Sequence, residues 1–348
     1  MSLPPSHQPF RRPMPELFAD ARLAVPRTVS VPRCRAHVPR RRHGPAADLS
    51  TVRGRESYIR PVIRYDNQSW GAVVWRVRGS VFPKLLLRAG VAAALGAAAI
   101  GFYGHTHRVL PLVVHSLIGV ALGLLLVFRT NASYDRFWEG RKLLGMMVNR
   151  TRDLARQLSA FLGPETASAL QRTVTAWYVL AAQTLQQKDD LAALAELLTV
   201  EERAALAPLE HRAPVVVGWL TQRLEGERRA GRLTDLQAFA MDQNLTMLND
   251  TLGGAERILK TPIPFAYAQH IKVFVLAYVF TAPFALVEAT GWLTPVAAAV
   301  LALALFGIEQ IGVEIEDPFG DDPNDLPVLE IGVGIDRATR EVVEHLAP

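Results

Sequence analysis

Two stretches of this chain carry residues whose types and spacing could do chemistry. One is an acidic turn, Asp317-Pro-Phe-Gly-Asp-Asp-Pro-Asn-Asp325. Side-chain oxygens crowded onto a turn suit a hard cation such as calcium, although the spacing is not that of an EF-hand loop and Pro323 interrupts it. The other is Val120, Leu124 and Phe128, which recur every four residues and so form one stripe down a helix face. Repeated once per copy around an oligomer axis, such a stripe makes rings of apolar side chains, and a narrow apolar ring controls ion passage by expelling water. On periodicity alone ordinary core packing is the favoured reading, because most apolar stripes bury themselves. Gly119 and Gly123 adjoin the stripe, and a Gly-x-x-x-Gly spacing lets a second helix backbone come close.

Catalytic chemistry is poorly supplied. The chain has no Gly-x-Ser-x-Gly elbow, no phosphate-binding Gly-Lys-Ser/Thr loop and no His-Glu-x-x-His helix, and its nine histidines show no metal-ligand spacing. Gly332-Val333-Gly334 lacks the strand and helix that flank a dinucleotide fingerprint. Cys34 is the single cysteine, which excludes intramolecular disulfides and Cys-rich metal sites and suits domains facing a reducing cytoplasm. The net charge is +5, with arginines crowding the N-terminal segment, but no recognition fold accompanies them and no nucleic-acid partner is expected. An enzyme is therefore not expected, and no cofactor is required.

The elements that must position these residues are membrane helices. Half of the residues are apolar, and they are clustered rather than spread, while 20% are charged. From Leu117 to Leu143 an apolar helix becomes a charged one at Phe128-Arg129, where a bilayer would end. Leu85 to Phe102 reads as a first membrane helix, Gly104-His105-Thr106-His107-Arg108 as a turn, and Leu110 to Phe128 as the return. Thr261-Pro262-Ile263-Pro264 stiffens a re-entry, and Ile271 to Ala289 and Leu293 to Ile311 form a second hairpin turning at Thr290-Gly291-Trp292. Lys and Arg lie mostly in the long flanks, so the positive-inside rule puts both termini and the middle region in the cytoplasm.

The resulting division is a Pro/Arg-rich disordered arm over 1–56, an interfacial segment over 57–84 and a first hairpin over 85–128. A cytoplasmic helical domain over 129–262, a second hairpin over 263–316 and an acidic turn with tail over 317–348 complete it. Within the middle domain, Gly163-Pro164, the Thr199–Glu202 capping-box pattern, the Pro208–Pro214 connection and Gly231 mark helix boundaries. In the tail, a short helix is expected from Asp336 to His345 after an irregular segment.

The run FRTNASYDRFWEGRKLLG resembles the signature of the bestrophin family in its bacterial bestrophin-like branch. Ile263 to Pro295 and Gly307 to Pro327 are similar to the same family's third and fourth membrane helices and their acidic exit. The resemblance implies an all-α membrane protein of four transmembrane helices plus a cytoplasmic helical bundle, assembled as a homopentamer in the inner membrane with lipid, itself and small inorganic ions as partners. It matches the family's neck residues to Val120, Leu124 and Phe128. It matches the signature to Arg129, Asn131, Tyr134, Asp135, Arg136, Trp138, Glu139 and Arg141, for which locking protomers together is the favoured role. In the animal branch a similar acidic turn helps bind calcium, with Asp322 and Asp325 at the matching positions; a calcium-independent docking turn is preferred here. The function implied is an axial channel for small monovalent ions, with chloride placed slightly ahead of monovalent cations. A non-conducting membrane scaffold and a small-solute transporter are the alternatives.

Overall fold

The computed structural model describes residues 63, 68–77 and 79–346. The arm expected over 1–56, Cys34 and the first residues of the interfacial segment lie outside the described residues. Among the described residues ten α-helices follow one another: α1 (Trp70–Val74), α2 (Phe82–Thr106), α3 (Leu112–Phe161), α4 (Pro164–Leu185), α5 (Val200–Leu206), α6 (Arg212–Arg229), α7 (Asp235–Lys260), α8 (Phe265–Thr290), α9 (Thr294–Glu316) and α10 (Val328–Leu346). No strand occurs among the described residues.

Local chemistry accounts for most boundaries. Pro83 sits in the first turn of α2, where a missing N–H costs nothing, and α2 ends on His107 in the left-handed region (φ 52°). An extended Pro111 then launches α3, which at 50 residues and about 1.5 Å per residue is far longer than a bilayer is thick. Complete capping boxes start α5 (Thr199 with Glu202) and α7 (Thr234 with Gln237). Phe82–Thr106, Leu112–Phe161 and Phe265–Glu316 are long and apolar enough to cross a membrane by length and composition, and the last contains both α8 and α9. A three-residue 3-10 turn at Gly291–Leu293 separates those two, which then pack on each other as a hairpin.

Two cores result. The first is shared by α2, α3, α8 and α9, and is built from Leu122 and Leu126 against Ile271, Val275, Val279, Ala298 and Ala302. Both α2 and α3 pack on α8 and α9, which form the middle layer. The second core fills the helical domain with Met147, Leu154, Trp177, Tyr178, Leu220 and Leu248 among others. Here the lower part of α3 packs against α4, α7 and α10, so one continuous helix belongs to both cores.

Several boundaries differ from the sequence reading: α2 runs on through Thr106 into the expected turn, α8 starts at Phe265 rather than Ile271, and two others have a clear local cause. Pro214 lies inside the first turn of α6 rather than in the connection before it, because the first turn has no intrahelical acceptor for its N–H in any case. The tail is helical from Val328 instead of Asp336. Gly332 and Gly334 suggest a break, but α10 buries Val328, Gly332, Ile335, Thr339 and Val343 on one face, and a Cβ on Gly332 would stand 3.1 Å from the Tyr178 ring. That close seat needs glycine, and packing outweighs its poor helix propensity.

Candidate pore helix and neck

The stripe and the core occupy opposite sides of α3. Leu122 and Leu126 are buried among α8 and α9, whereas Val120, Leu124 and Phe128 are 74%, 56% and 56% exposed. Two residues along a helix is about 200° around it, so burying the first pair turns the second set outward. The open face extends upward through Val113 and Leu117 and downward through Tyr134 and Trp138. Nothing else among the described residues covers it.

The two stripe-side glycines differ. A Cβ on Gly119 would fall 2.5 Å from the Tyr278 hydroxyl on α8, so this position admits close approach only without a side chain. Tyr278 in turn stacks on His115, whose ring Nε2 lies 2.9 Å from Thr281 Oγ1. Gly123, by contrast, meets nothing within 4 Å, so its missing side chain serves no contact among the described residues. Replacing Gly119 by leucine is expected to force α3 and α8 apart and cost about 1–3 kcal/mol, seen as a lower melting midpoint in detergent, whereas Gly123→Ala leaves that midpoint unchanged.

The charged signature also divides by face. Arg129 is only 3% exposed and pairs with Glu316, the last residue of α9. Glu316 also accepts the Ile263 N–H at 3.0 Å, which ties the start of the second hairpin to the same acid. Arg136 donates to the backbone carbonyls of Ile258 at 2.7 Å, Glu316 at 3.1 Å and Thr261. Those carbonyls end α7 and α9, and a guanidinium is the group best suited to satisfy and neutralise two helix C-termini at once. Gly140 gives room to Pro318 and Phe319, at 3.0 and 3.1 Å from where its Cβ would stand. Arg129 and Arg136 therefore tie helices together within one chain. Glu139 makes an exposed pair with Arg257 at 2.8 Å. Asn131, Tyr134, Asp135, Trp138 and Arg141 face outward from the chain's own core. Glu316, the counter-ion of this cluster, was missed because nothing local marks it: its partner is a distant residue on another helix.

The acidic turn is built from its own backbone contacts. Asp325 is 7% exposed and accepts the Asp322 N–H on Oδ2, so the two candidate calcium positions are bonded to each other. Asn324 bridges the Gly79 carbonyl at 3.2 Å and Glu314 at 2.9 Å, and Lys84 reaches Glu314 at 2.7 Å. The turn thereby joins the end of α9 to the start of α2. Among the described residues no group of three or more His, Cys, Asp or Glu could hold a metal ion.

Burial, aided by the charges of Asp322, Asp317 and Glu314, pushes the Asp325 carboxyl up to about 7. A carboxyl raised by folding holds its proton where the unfolded chain, with a value near 4, has released it. Stability contributed by Asp325 therefore declines as pH rises from about 4 to about 7 and is level above that. Asp325→Asn, which keeps an acceptor for the Asp322 N–H, is expected to flatten this decline in melting midpoints measured from pH 4 to pH 8.

A family model described as "Bacterial/Fungal Bestrophin protein" matches residues 62–341. A voltage-dependent anion channel-forming protein of Nostoc sp. is 36% identical over 266 residues, covering 74% of this chain and 87% of that protein. One of the same description from Synechocystis sp. is 36% identical over 270 residues, covering 75% and 88%. Among solved structures, a single-site variant of a bacterial bestrophin homologue from Klebsiella pneumoniae superposes with a TM-score of 0.72 at 28% identity, covering 75% of this chain and 99% of that one.

Proposed function

The chain belongs to the bacterial and fungal bestrophin family, and from that premise we propose that it is an anion channel whose pore runs along the axis of a homopentamer. The observation that carries this reading is the uncovered face of α3. Val120, Leu124 and Phe128 are large, apolar and more than half exposed in one protomer, on a helix whose opposite side is fully buried. A face of that kind is covered by other copies or lines a dewetted pore. Outside it, Tyr134 and Trp138 supply the large surface aromatics that protein interfaces favour.

In this reading α2, α3, α8 and α9 each cross the inner membrane, with the helical domain and both termini in the cytoplasm. The anion assignment is supported by the relatives' description as anion channel-forming proteins. It is supported also by the absence of any acidic side chain from the Val120–Phe128 stripe, since charges along the pathway rather than net charge set selectivity.

Mass measurement of the detergent-solubilised protein is expected to give five copies. Reversal potentials of the reconstituted protein under a chloride gradient are expected to follow the chloride equilibrium value and to shift when a large anion replaces chloride. A conducting monomer or dimer would end the axial pore. A potential following sodium or potassium would make the channel cation-selective, and a sealed oligomer would leave the scaffold role.

A further inference from the structure

A cavity of about 410 Å³ opens between α2, α8 and α9, away from α3. Its walls are mostly apolar, including Leu87, Val91, Leu276 and Phe280, and its polar groups are Arg88, Lys272 and Glu309. The size falls within the range of ligand-binding pockets. We propose that this cavity seats an anionic phospholipid, with an acyl chain along the apolar wall and its phosphate against Arg88 and Lys272.

Position comes first. Arg88 lies six residues from the start of α2, Lys272 seven from the start of α8, and Glu309 seven from the end of α9. At about 1.5 Å per residue all three stand roughly 10 Å from the helix ends nearest the helical domain, the depth at which acyl chains meet headgroups. Side chains lean toward the N-terminus of their own helix, so Arg88 and Lys272 aim their charges back toward that interface. Glu309 runs on a helix of opposite direction and leans inward.

Charge comes second. Glu309 is 5% exposed, its Oε1 takes no hydrogen bond among the described residues, and the Lys272 ammonium is 3.6 Å from it. Arg88 has no carboxylate partner among the described residues and rests over the Phe306 ring at 5.2 Å. Two cations thus face one acid across an apolar cleft. The surplus positive charge complements a phosphodiester, and a neutral acyl chain alone would not need it.

Access to lipid rests on the reading that α3 faces the axis. Because α8 and α9 separate α2 from α3, the layer carrying this cavity is then the outermost one and meets lipid.

The test uses the full chain, purified in detergent and offered equal amounts of phosphatidylglycerol and phosphatidylcholine. Retained lipid per protomer is counted by mass spectrometry after gel filtration. The wild type is expected to keep phosphatidylglycerol at least tenfold over phosphatidylcholine. Arg88→Gln with Lys272→Gln is expected to bring the two to parity, while Arg108→Gln at the opposite end of α2 changes nothing. Equal retention of both lipids by the wild type, or an unaltered preference in the double variant, overturns the proposal. Should the double variant not elute as the wild-type oligomer does, Val91→Trp carries the comparison. It fills the cleft and keeps both charges, and unchanged phosphatidylglycerol retention there also overturns the proposal. Lipid retention is read without conduction, so a non-conducting chain that keeps the lipid sinks the channel and not this site. A conducting chain that keeps none does the reverse.

Discussion

Replacing Leu124 and Phe128 together by serine raises ion efflux from liposomes by roughly tenfold, equivalent to taking about 1.4 kcal/mol off the permeation barrier. The reason is wetting. In the proposed axial pore, two rings of bulky apolar side chains would exclude water from a narrow passage, and an ion entering it would lose its hydration without compensation; a hydroxyl-lined passage of larger radius would hold water at rest. Protein stability separates this from a packing effect. Both side chains are more than half exposed in the protomer, so truncating them opens no cavity inside the chain. Leu122 and Leu126 are buried on the same helix, and alanine at either costs about 2–5 kcal/mol. The expected pattern is higher flux with an unchanged oligomer for the Leu124/Phe128 pair, and loss of the oligomer for the Leu122/Leu126 pair. Flux equal to wild type in a correctly assembled Leu124/Phe128 variant would remove these residues from the gate.

That pattern depends on a helix face, and faces are what a sequence displays well. The change from apolar to charged at Arg129 is visible because one unbroken helix, α3, passes from one environment into another. The four-residue spacing of Val120, Leu124 and Phe128 is visible for the same reason, since it needs only the helical repeat. Which way the stripe turns is not, because Val120 and Leu122 are equally apolar, and only the positions of α8 and α9 decide which one is buried. Glycine behaves likewise. Gly119 and Gly123 look equivalent as a pair, yet Tyr278 claims the first and nothing among the described residues approaches the second.

Long-range pairing was the least legible part. Arg136 reads as one more charge on a polar helix, and its task of closing the C-termini of α7 and α9 appears only when those ends are brought to it. The helical start of the tail was hidden for a related reason: Gly332 is costly for an isolated helix but necessary where α10 crosses Tyr178. The acidic turn illustrates the converse. Its composition admits a cation site as well as the preferred docking turn, and only its contacts show Asp325 bonded to backbone and Asn324 to Gly79 and Glu314.

The pairing hidden most completely should also have the largest effect on stability. Arg129→Ala is expected to destabilise the protein by about 3–5 kcal/mol, because it leaves Glu316 mostly enclosed without its cation. Glu316→Ala is expected to cost a similar amount, since Arg129 is 3% exposed and its Nη1 already lacks a partner among the described residues. Removing both charges together, as Arg129→Met with Glu316→Gln, leaves no isolated ion in the protein and should recover much of the loss. Arg129→Lys should recover little, for an ammonium keeps the charge and loses the planar fork. The exposed Arg257–Glu139 pair is the contrast: Arg257→Ala should change stability by less than about 1 kcal/mol. Melting midpoints of the detergent-solubilised variants measure all five. If the double variant proves no better than the sum of the two single losses, the two residues do not act as a pair. The fixing of α3 beside the neck would then have to come from Arg136 alone.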